Sequence, residues 1–246
     1  MRSLQKAMAI VDRLAEAPDR GISELSREIG ADKAMVHRIV RTMAERGWVV
    51  QDPGTRRYQL GPALRGLRDQ GPSREDIIRA GTPSVTRLAK AFDETALLSV
   101  REGLRNVVQI VEPSTQEIRV VSEVGRSVPL HCGAAGKVLL SFDHPSVTAR
   151  VIDAGLERWT DGTITDGKRL RAELDSIRKQ GWAVENEEYS RGVCGLGAPV
   201  FDAEGRVVAA LALRAPALRV DAELIGDMAR ALLEEAAIVG RALGRS

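Results

Sequence analysis

Residues 31–47 read ADKAMVHRIVRTMAERG, and this stretch decides the fold of the N-terminal part of the chain. Its apolar residues recur at helical spacing, at Val36, Ile39, Val40 and Met43. Asp32 is a favourable N-cap and Gly47 a favourable C-terminal stop. The stretch therefore predicts a helix with one side packed inward and the other side facing solvent.

The solvent side of this helix is basic. Lys33, His37 and Arg41 are spaced i, i+4 and i+8, which places them in one stripe. A basic helix face is often only a solvated surface, but a recognition helix presents such a face to the DNA major groove, N-terminal end first. We therefore predict that six residues of this helix meet base edges or phosphates of duplex DNA: Lys33, Ala34, Met35, His37, Arg38 and Arg41.

The flanking sequence supplies the rest of a DNA-reading fold. Residues 4–17 have helical periodicity, and Ser23 is a candidate N-cap for a short second helix. After the third helix the period changes to the alternation of a β-hairpin, at Trp48, Val50, Tyr58 and Leu60. Three helices followed by a hairpin form the order of a winged helix-turn-helix. Arg56 and Arg57 follow the hairpin turn, where a wing would contact the DNA backbone or a minor groove.

The remaining sequence predicts a linker and a second domain. We assign residues 1–61 to the DNA-binding domain, residues 62–78 to a linker with few apolar anchors, and residues 79–246 to the second domain. Strands are predicted there at 95–101, 106–112, 117–124, 182–184, 195–201 and 207–214. Helices are predicted at 83–92, 133–142, 146–154, 168–179 and 221–243. Because strand pairs are joined by turns, this mixed α/β fold is expected to be α+β, with a largely antiparallel sheet.

The composition of the 246-residue chain excludes several classes of protein. A hydrophobic fraction of 43% argues against disorder, and the longest apolar run, at residues 207–213, is far too short to span a membrane. The N-terminus lacks the apolar core of a signal peptide, and two cysteines make no disulfide framework. We therefore expect a cytoplasmic protein without membrane association, cofactor or catalytic constellation.

The sequence resembles the IclR family of transcription regulators over nearly its whole length. The resemblance rests on short motifs in the family's order and spacing: VHRIV (36–40), ERGWV (45–49), YQLG (58–61), PLHC (129–132), GWAV (181–184) and APVFD (198–202). It implies a GAF-like effector domain, a homodimer or dimer of dimers, and binding to double-stranded DNA. It also implies repression or activation that is switched by a small organic acid or an aromatic catabolite.

The same resemblance implies which residues line the effector pocket: Leu130, Cys132, Gly133, Ala134, Glu185, Val193, Cys194, Gly195, Ala212 and Arg214. This chain departs from the family's pattern at several of them. Gly195 stands where a cysteine is common, and Ala212 and Arg214 stand where serines occur. The effector of any one member therefore cannot be transferred to this chain. The pair Ala34 and Met35 replaces polar residues, so the target DNA should differ too.

The residues themselves favour an anionic effector. A glycine-rich helix start at residues 133–136 exposes backbone N–H groups, and the helix dipole attracts an anion there. Arg214 can form a bidentate pair with a carboxylate. The alternatives are that Arg214 lies on the surface of an edge strand and that the glycines serve close packing. Cys132, Cys194 and His131 have no regular metal-ligand spacing, so we expect no metal.

Two other functions stay open at this stage. One is an enzyme or sensor whose winged helix docks another protein, which predicts turnover of a small acid and no affinity for duplex DNA. The other is an architectural DNA-binding protein without a ligand, which leaves the large second domain without a role.

Overall fold

The computed structural model describes residues 2–17, 19–64 and 71–244. Contacts within the chain divide it into two compact units, Met1–Gly71 and Pro72–Ser246. The named elements within the described residues of the first unit are the helices α1 (Arg2–Glu16), α2 (Ile22–Glu28) and α3 (Lys33–Glu45) and a hairpin of β1 (Val49–Gln51) and β2 (Tyr58–Leu60). This order confirms the predicted helix-turn-helix with its wing.

Capping interactions set the helix boundaries in the first unit. The Asp32 carboxylate accepts a hydrogen bond from the Met35 amide at 2.8 Å, which confirms the predicted start of α3. The prediction that Ser23 caps α2 is wrong. Gly21 is the N-cap, and its amide donates to the Glu24 carboxylate at 3.0 Å. The acidic residue three positions after the cap therefore decides where α2 begins.

The hairpin packs on the helices through Val49 and Tyr58, which are both buried. The alternation predicted from Trp48 and Val50 is off by one residue, since Trp48 is 45% exposed. The Trp48 amide donates to the Met43 carbonyl at 2.9 Å, so Trp48 is still held by the last turn of α3. A shift of one residue exchanges the two faces of a strand, so Val49 takes the core position.

The second unit alternates helices with strands. Its elements are α4 (Arg74–Phe92), β3 (Thr95–Glu102), β4 (Arg105–Glu112), β5 (Ser127–Pro129), α5 (Gly133–Ser141), α6 (Pro145–Asp153), α7 (Gly167–Gln180), β6 (Ala183–Asn186), β7 (Val193–Phe201), β8 (Val207–Pro216) and α8 (Ala222–Leu243). A short 3-10 turn, Ala217–Arg219, joins the last strand to the last helix.

The segment predicted as a linker, residues 62–78, includes the start of α4. Ser73 and Asp76 cap this helix reciprocally: the Ser73 hydroxyl accepts from the Asp76 amide at 3.1 Å, and the Asp76 carboxylate accepts from the Ser73 amide at 3.2 Å. Pro83, which favours a helix start, lies in the interior of α4 instead. Residues 65–70 of the predicted linker lie outside the described residues.

Six antiparallel strands form the sheet of the second unit in the order β5-β4-β3-β8-β7-β6, which confirms the α+β class. The strand predicted at residues 117–124 is wrong. Ile118 and Val121 in this segment are 70% and 72% exposed, so their alternation does not mark a buried face. The segment instead contacts the sheet through a side chain, since the Thr95 hydroxyl donates to the Val120 carbonyl at 2.6 Å.

Helices cover both faces of this sheet. Helices α4 and α8 bury one face, and α5, α6 and α7 pack on the other. A Cβ atom at Gly197 of β7 would lie 3.2 Å from backbone atoms of Ala134 and Ala135, so the first turn of α5 lies directly on the sheet. This close approach sets the position of the cavity described below.

Candidate functional site

The first candidate site is the outer face of α3. Val36, Val40 and Met43 are buried and fix the rotation of the helix on its core. Five of the six residues predicted to meet DNA are exposed as a result, and Met35 is half-buried: Lys33, Ala34, Met35, His37, Arg38 and Arg41. The structure therefore places this set on one accessible surface.

The basic groups of this face have few partners within the unit. Arg41 forms an exposed ion pair with Glu45 at 3.3 Å, a geometry that stabilises a helix only slightly. A phosphate could replace Glu45 as the partner of Arg41 at little cost. Arg38 is exposed as well, and only its backbone carbonyl accepts a hydrogen bond, from the Thr42 hydroxyl at 3.0 Å.

The two wing arginines have different surroundings. Arg56 is exposed at the hairpin turn, where its φ of 57° is unusual for a side chain with a Cβ atom. Arg57 instead donates to the Glu24 carboxylate at 2.6 Å and to the Asp19 carbonyl at 2.7 Å. The pKa of Glu24 lies below its ordinary value because the Gly21 amide, and then Arg57, stabilise the carboxylate. Arg57 therefore fastens the wing to α2, and its predicted contact with DNA would have to compete with this ion pair.

The second candidate site is a cavity between the sheet and the first turn of α5, with about 460 Å³ of space outside atoms, open solvent included. Seven of the ten residues that the family resemblance implied line it: Cys132, Gly133, Ala134, Glu185, Gly195, Ala212 and Arg214. Apolar side chains of β3, β4 and β5 form much of the remaining wall, among them Leu97, Val108 and Val128.

The other three implied residues do not line this cavity. Leu130 is fully buried in the core beneath α5, and Cys194 belongs to the core on the opposite face of the sheet. Cys194 precedes Gly195 in β7, and adjacent strand residues point to opposite faces. Val193 lines an adjoining surface groove with Val120 and Val121, and this groove shares Arg126 and Arg214 with the cavity.

Three residues of the cavity form one row across the sheet. Glu185 of β6 pairs in register with Gly195 of β7, which pairs in turn with Arg214 of β8. A Cβ atom at Gly195 would lie 3.2 Å from both Cγ and Oε1 of Glu185. The absent side chain at Gly195 therefore leaves room for the Glu185 carboxylate in the middle of the row.

Burial dominates the electrostatics of this row. It raises the pKa of Glu185 to about 7, although the Glu188 amide, which donates to Glu185 at 2.9 Å, and then Arg214 oppose the rise. Burial lowers the pKa of Arg214, partly offset by Glu185, and Arg126 lowers it further. The Arg214 side chain has no hydrogen bond or ion pair with any described residue. The row therefore holds a cation withdrawn from water beside a carboxyl group that is only partly ionised at neutral pH.

The first turn of α5 contributes backbone donors. Its N-cap, Cys132, makes no side-chain capping hydrogen bond, and Gly133 adopts a φ of 73°. Residues 133–136 all line the cavity. A Cβ atom at Gly136 would lie 2.8 Å from the Leu130 carbonyl oxygen, so that glycine permits close packing. Gly136 therefore serves close packing, whereas nothing lies within 4 Å of a Cβ atom added at Gly133, which begins the helix with a positive φ.

Two family models match the chain, the IclR helix-turn-helix domain over residues 3–53 and the bacterial transcriptional regulator IclR C-terminal domain over residues 71–241. The chain belongs to the IclR family. It is a DNA-binding transcription regulator of that family rather than an enzyme. The glycerol operon regulatory protein of Streptomyces griseus is 32% identical to it over 249 residues, which cover 99% of this chain and 97% of the relative.

Solved IclR-family structures share the fold. The Thermotoga maritima IclR is 29% identical, covers 99% of both chains and superposes with a TM-score of 0.66. An IclR homologue from Microbacterium hydrocarbonoxydans superposes with a TM-score of 0.65 at 22% identity, covering 98% of this chain and 100% of that one. No helix among the described residues of the present IclR chain is long and apolar enough to cross a membrane.

Sequence reasoning missed four polar residues that line the cavity of this IclR domain: Asn106, Ser122, Arg126 and Tyr189. Arg126 lies 5.3 Å above the Tyr189 ring, and its guanidinium is 3.4 Å from the Tyr189 hydroxyl. Buried oxygens of Asn106 and Ser122 have no hydrogen-bond partner. The alternation of β4 could have indicated that Asn106 faces the same side of the sheet as Val108. The other three residues lie in segments without regular structure, where no such pattern exists.

The cysteines of this IclR domain are poorly suited to chemistry. Burial raises the pKa of the Cys132 thiol to about 12 and that of Cys194 to about 11, so both stay protonated at neutral pH. His131 is buried and bonds to the Glu157 carbonyl at 3.0 Å. No group of three His, Cys, Asp or Glu side chains in the described part of the chain is arranged to hold a metal.

A fully buried lysine holds α5 against the strand that carries Glu185. The Lys137 ammonium donates to the carboxylates of Glu188 at 2.6 Å and Glu173 at 2.8 Å, and to the Val184 carbonyl at 3.0 Å. Burial raises the pKa of Glu188, against the lowering effect of Lys137. This network fixes the first turn of α5 relative to β6, and so fixes two walls of the cavity.

Proposed function

We propose that this IclR-family regulator is switched by a small organic acid that binds beside Arg214 and changes the affinity for an operator. The observation that carries the proposal is Arg214 itself, a half-buried guanidinium that lines a cavity and has no hydrogen-bond partner among the described residues. Taking a cation out of water costs free energy unless an anion compensates it. A carboxylate ligand would supply that compensation through a bidentate pair.

The surroundings of Arg214 support an acidic ligand. Amides of the first turn of α5 and the Arg126 guanidinium line the same cavity and add positive potential. The IclR homologue from Microbacterium hydrocarbonoxydans is complexed with 4-hydroxybenzoate.

The operator would be read by the exposed face of α3, with Arg56 at the wing. Lys33, His37 and Arg38 lie toward the N-terminal end of α3, which enters the major groove first in this class of motif. We further propose that the protein acts as a homodimer or dimer of dimers on double-stranded DNA, because paired half-sites are the usual targets of such motifs. As its target would be chromosomal, we place its action in the cytoplasm.

The switch requires the acid to bind the DNA-competent and DNA-incompetent states with different affinity. The test is fluorescence anisotropy with a labelled duplex from upstream of the protein's own gene, at two salt concentrations, with and without a panel of small carboxylic and aromatic acids. We expect salt-sensitive, sequence-specific binding that at least one acid changes. Binding that stays unchanged by every acid would contradict the switch, and binding no stronger than to a scrambled duplex would contradict the operator.

A further inference from the structure

The cavity has a second polar wall, formed by Asn106 of β4. The Asn106 side chain is only 6% exposed, and its Oδ1 atom has no hydrogen-bond partner. Its amide group makes no hydrogen bond to any described residue. Buried amides in proteins are almost always paired, because an unpaired one costs free energy. The Asn106 amide lines a cavity, so a ligand in that cavity is the natural partner.

Asn106 lies far from Arg214 in the sheet. Arg214 pairs in register with Thr95 of β3, whereas Asn106 pairs with Arg101 of the same strand. At about 3.3 Å per residue, the backbones of these two positions on β3 are about 20 Å apart. The long Arg214 side chain shortens the gap. The wall between the two ends is apolar, with Leu97, Val108 and Ala212 among its residues.

Two cations near Asn106 are already paired, and the other cation of the cavity, Arg126, has its guanidinium over the Tyr189 ring and shares a surface groove with Arg214. Arg101, its neighbour on β3, forms an ion pair with Asp143. Arg105, the preceding residue of β4, donates to the Ser127 hydroxyl at 2.6 Å and to the Ser127 carbonyl at 2.7 Å. The Asn106 end therefore offers a neutral amide rather than a spare cation, and a second carboxylate would meet no matching charge there.

We propose that the ligand is a monocarboxylic acid with a hydroxyl group at its far end, and that Asn106 selects for that hydroxyl. The inference rests on the function proposed above and narrows its ligand class. A hydroxyl can donate to Oδ1 and accept from Nδ2, which matches both halves of the amide. The unpartnered Ser122 hydroxyl in the same cavity offers a further contact to such a ligand. An acid without the hydroxyl would leave the Asn106 amide unpaired.

The test compares matched acids on the full-length protein by isothermal titration calorimetry. The pairs are 3-(4-hydroxyphenyl)propionate with 3-phenylpropionate, and 4-hydroxybenzoate with benzoate. We expect the hydroxylated acid of at least one pair to bind about tenfold more tightly, because the deoxy acid leaves a buried amide unsatisfied. In Asn106→Ala this preference should fall to about one, while the affinity for the deoxy acid changes little.

Ser99→Ala is the matched control, since Ser99 also has a buried oxygen without a partner but does not line the cavity. It should keep the wild-type preference. Asn106→Ser serves as a second variant if Asn106→Ala fails to fold, and should lower the preference as well. Equal affinity for both members of each pair in the wild type, or an unchanged preference in the Asn106 variants, would overturn this inference and leave the switch standing. Failure of all four acids to bind, while another carboxylic acid of the panel binds, would overturn this inference alone.

Discussion

Glu185 and Arg214 lie in one row of the sheet with only Gly195 between them, and no hydrogen bond joins the two side chains. A buried acid and a half-buried base this close would usually form a direct ion pair. Here the Glu185 carboxylate accepts from the Glu188 amide instead, at 2.9 Å. The guanidinium is thereby left available to an anion that enters the cavity. This relationship underlies the predictions that follow.

Replacing Arg214 with Gln should strongly weaken the binding of small carboxylic acids. The variant loses the bidentate cation, so we expect affinity to fall by on the order of 100-fold for any acid that binds the wild type. Isothermal titration calorimetry measures the loss. Arg230→Gln, an exposed arginine on α8, is the control and should bind the acid normally. Wild-type affinity in Arg214→Gln would place the acid elsewhere.

Glu185 should make the stability of the protein depend on pH. Its pKa of about 7 in the folded chain exceeds the ordinary 4.5. The folded state therefore holds its proton more tightly, and this contribution to stability is complete below pH 4.5 and lost as the pH rises through 7. The loss amounts to about 3 kcal/mol. Urea unfolding of Glu185→Gln should show a flatter pH dependence than the wild type over this window. Identical pH profiles would show that Glu185 is not the titrating group.

The same titration should affect acid binding. Above pH 7 the ionised Glu185 competes with the ligand for Arg214, so the affinity for a carboxylate should fall between pH 6 and pH 8. In Glu185→Gln the affinity should stay nearly constant over this range. Calorimetric titrations at several pH values check this, with an acid that is fully ionised throughout. A wild-type affinity that rises with pH would contradict the account.

Adding a side chain at Gly195 should disturb the row. In Gly195→Ala the new Cβ atom meets Glu185 at 3.2 Å, which pushes the carboxyl group from its position. We expect a several-fold loss of acid affinity and a destabilisation of about 1–2 kcal/mol. Gly226→Ala is the matched control, because nothing lies within 4 Å of its added Cβ atom on α8. That control should be slightly stabilised. Both quantities follow from calorimetry and thermal unfolding.

Removing Arg41 should weaken binding to every duplex rather than to one sequence. If its guanidinium contacts a phosphate, Arg41→Ala should lower DNA affinity and reduce the salt slope by about one. The exposed Arg13 of α1 provides the control, because it lies outside the basic face. Anisotropy titrations at four salt concentrations give the slopes. A wild-type slope in Arg41→Ala would rule out the phosphate contact.

Local patterns predicted the first unit well. The Asp32 cap and the apolar side of α3 depend only on neighbours in the sequence, and the structure has both. Errors arose at the boundaries of elements, where neighbouring residues compete for the same role. Glu24 moved the start of α2 to Gly21, and the turn after α3 shifted Val49 into the core. Strand-like alternation at residues 117–124 was misleading because β5 occupies the edge of β4 instead.

The cavity was only partly predictable because its residues come from distant parts of the chain. The alternation of a strand places Gly195 and Cys194 on opposite faces of the sheet. No local pattern shows which strands are neighbours or which loops line the cavity. Arg126 and Tyr189 are in contact although they lie 63 positions apart in the chain. Asn106 joins the cavity only because β4 and β3 pair in one particular register. Such contacts depend on the whole fold, so the resemblance to a family located the pocket while the structure supplied its chemistry.

The most direct test of the switch is to titrate a calorimetrically identified acid into a preformed complex of the full-length protein and its labelled operator, and to follow the anisotropy for the wild type and Arg214→Gln. Our account predicts that the acid changes operator affinity at least fivefold in the wild type, as is typical of allosteric coupling. In Arg214→Gln the operator should bind normally and the acid should change nothing. An equal response of both proteins to the acid would contradict the central claim that Arg214 is the ligand-sensing group.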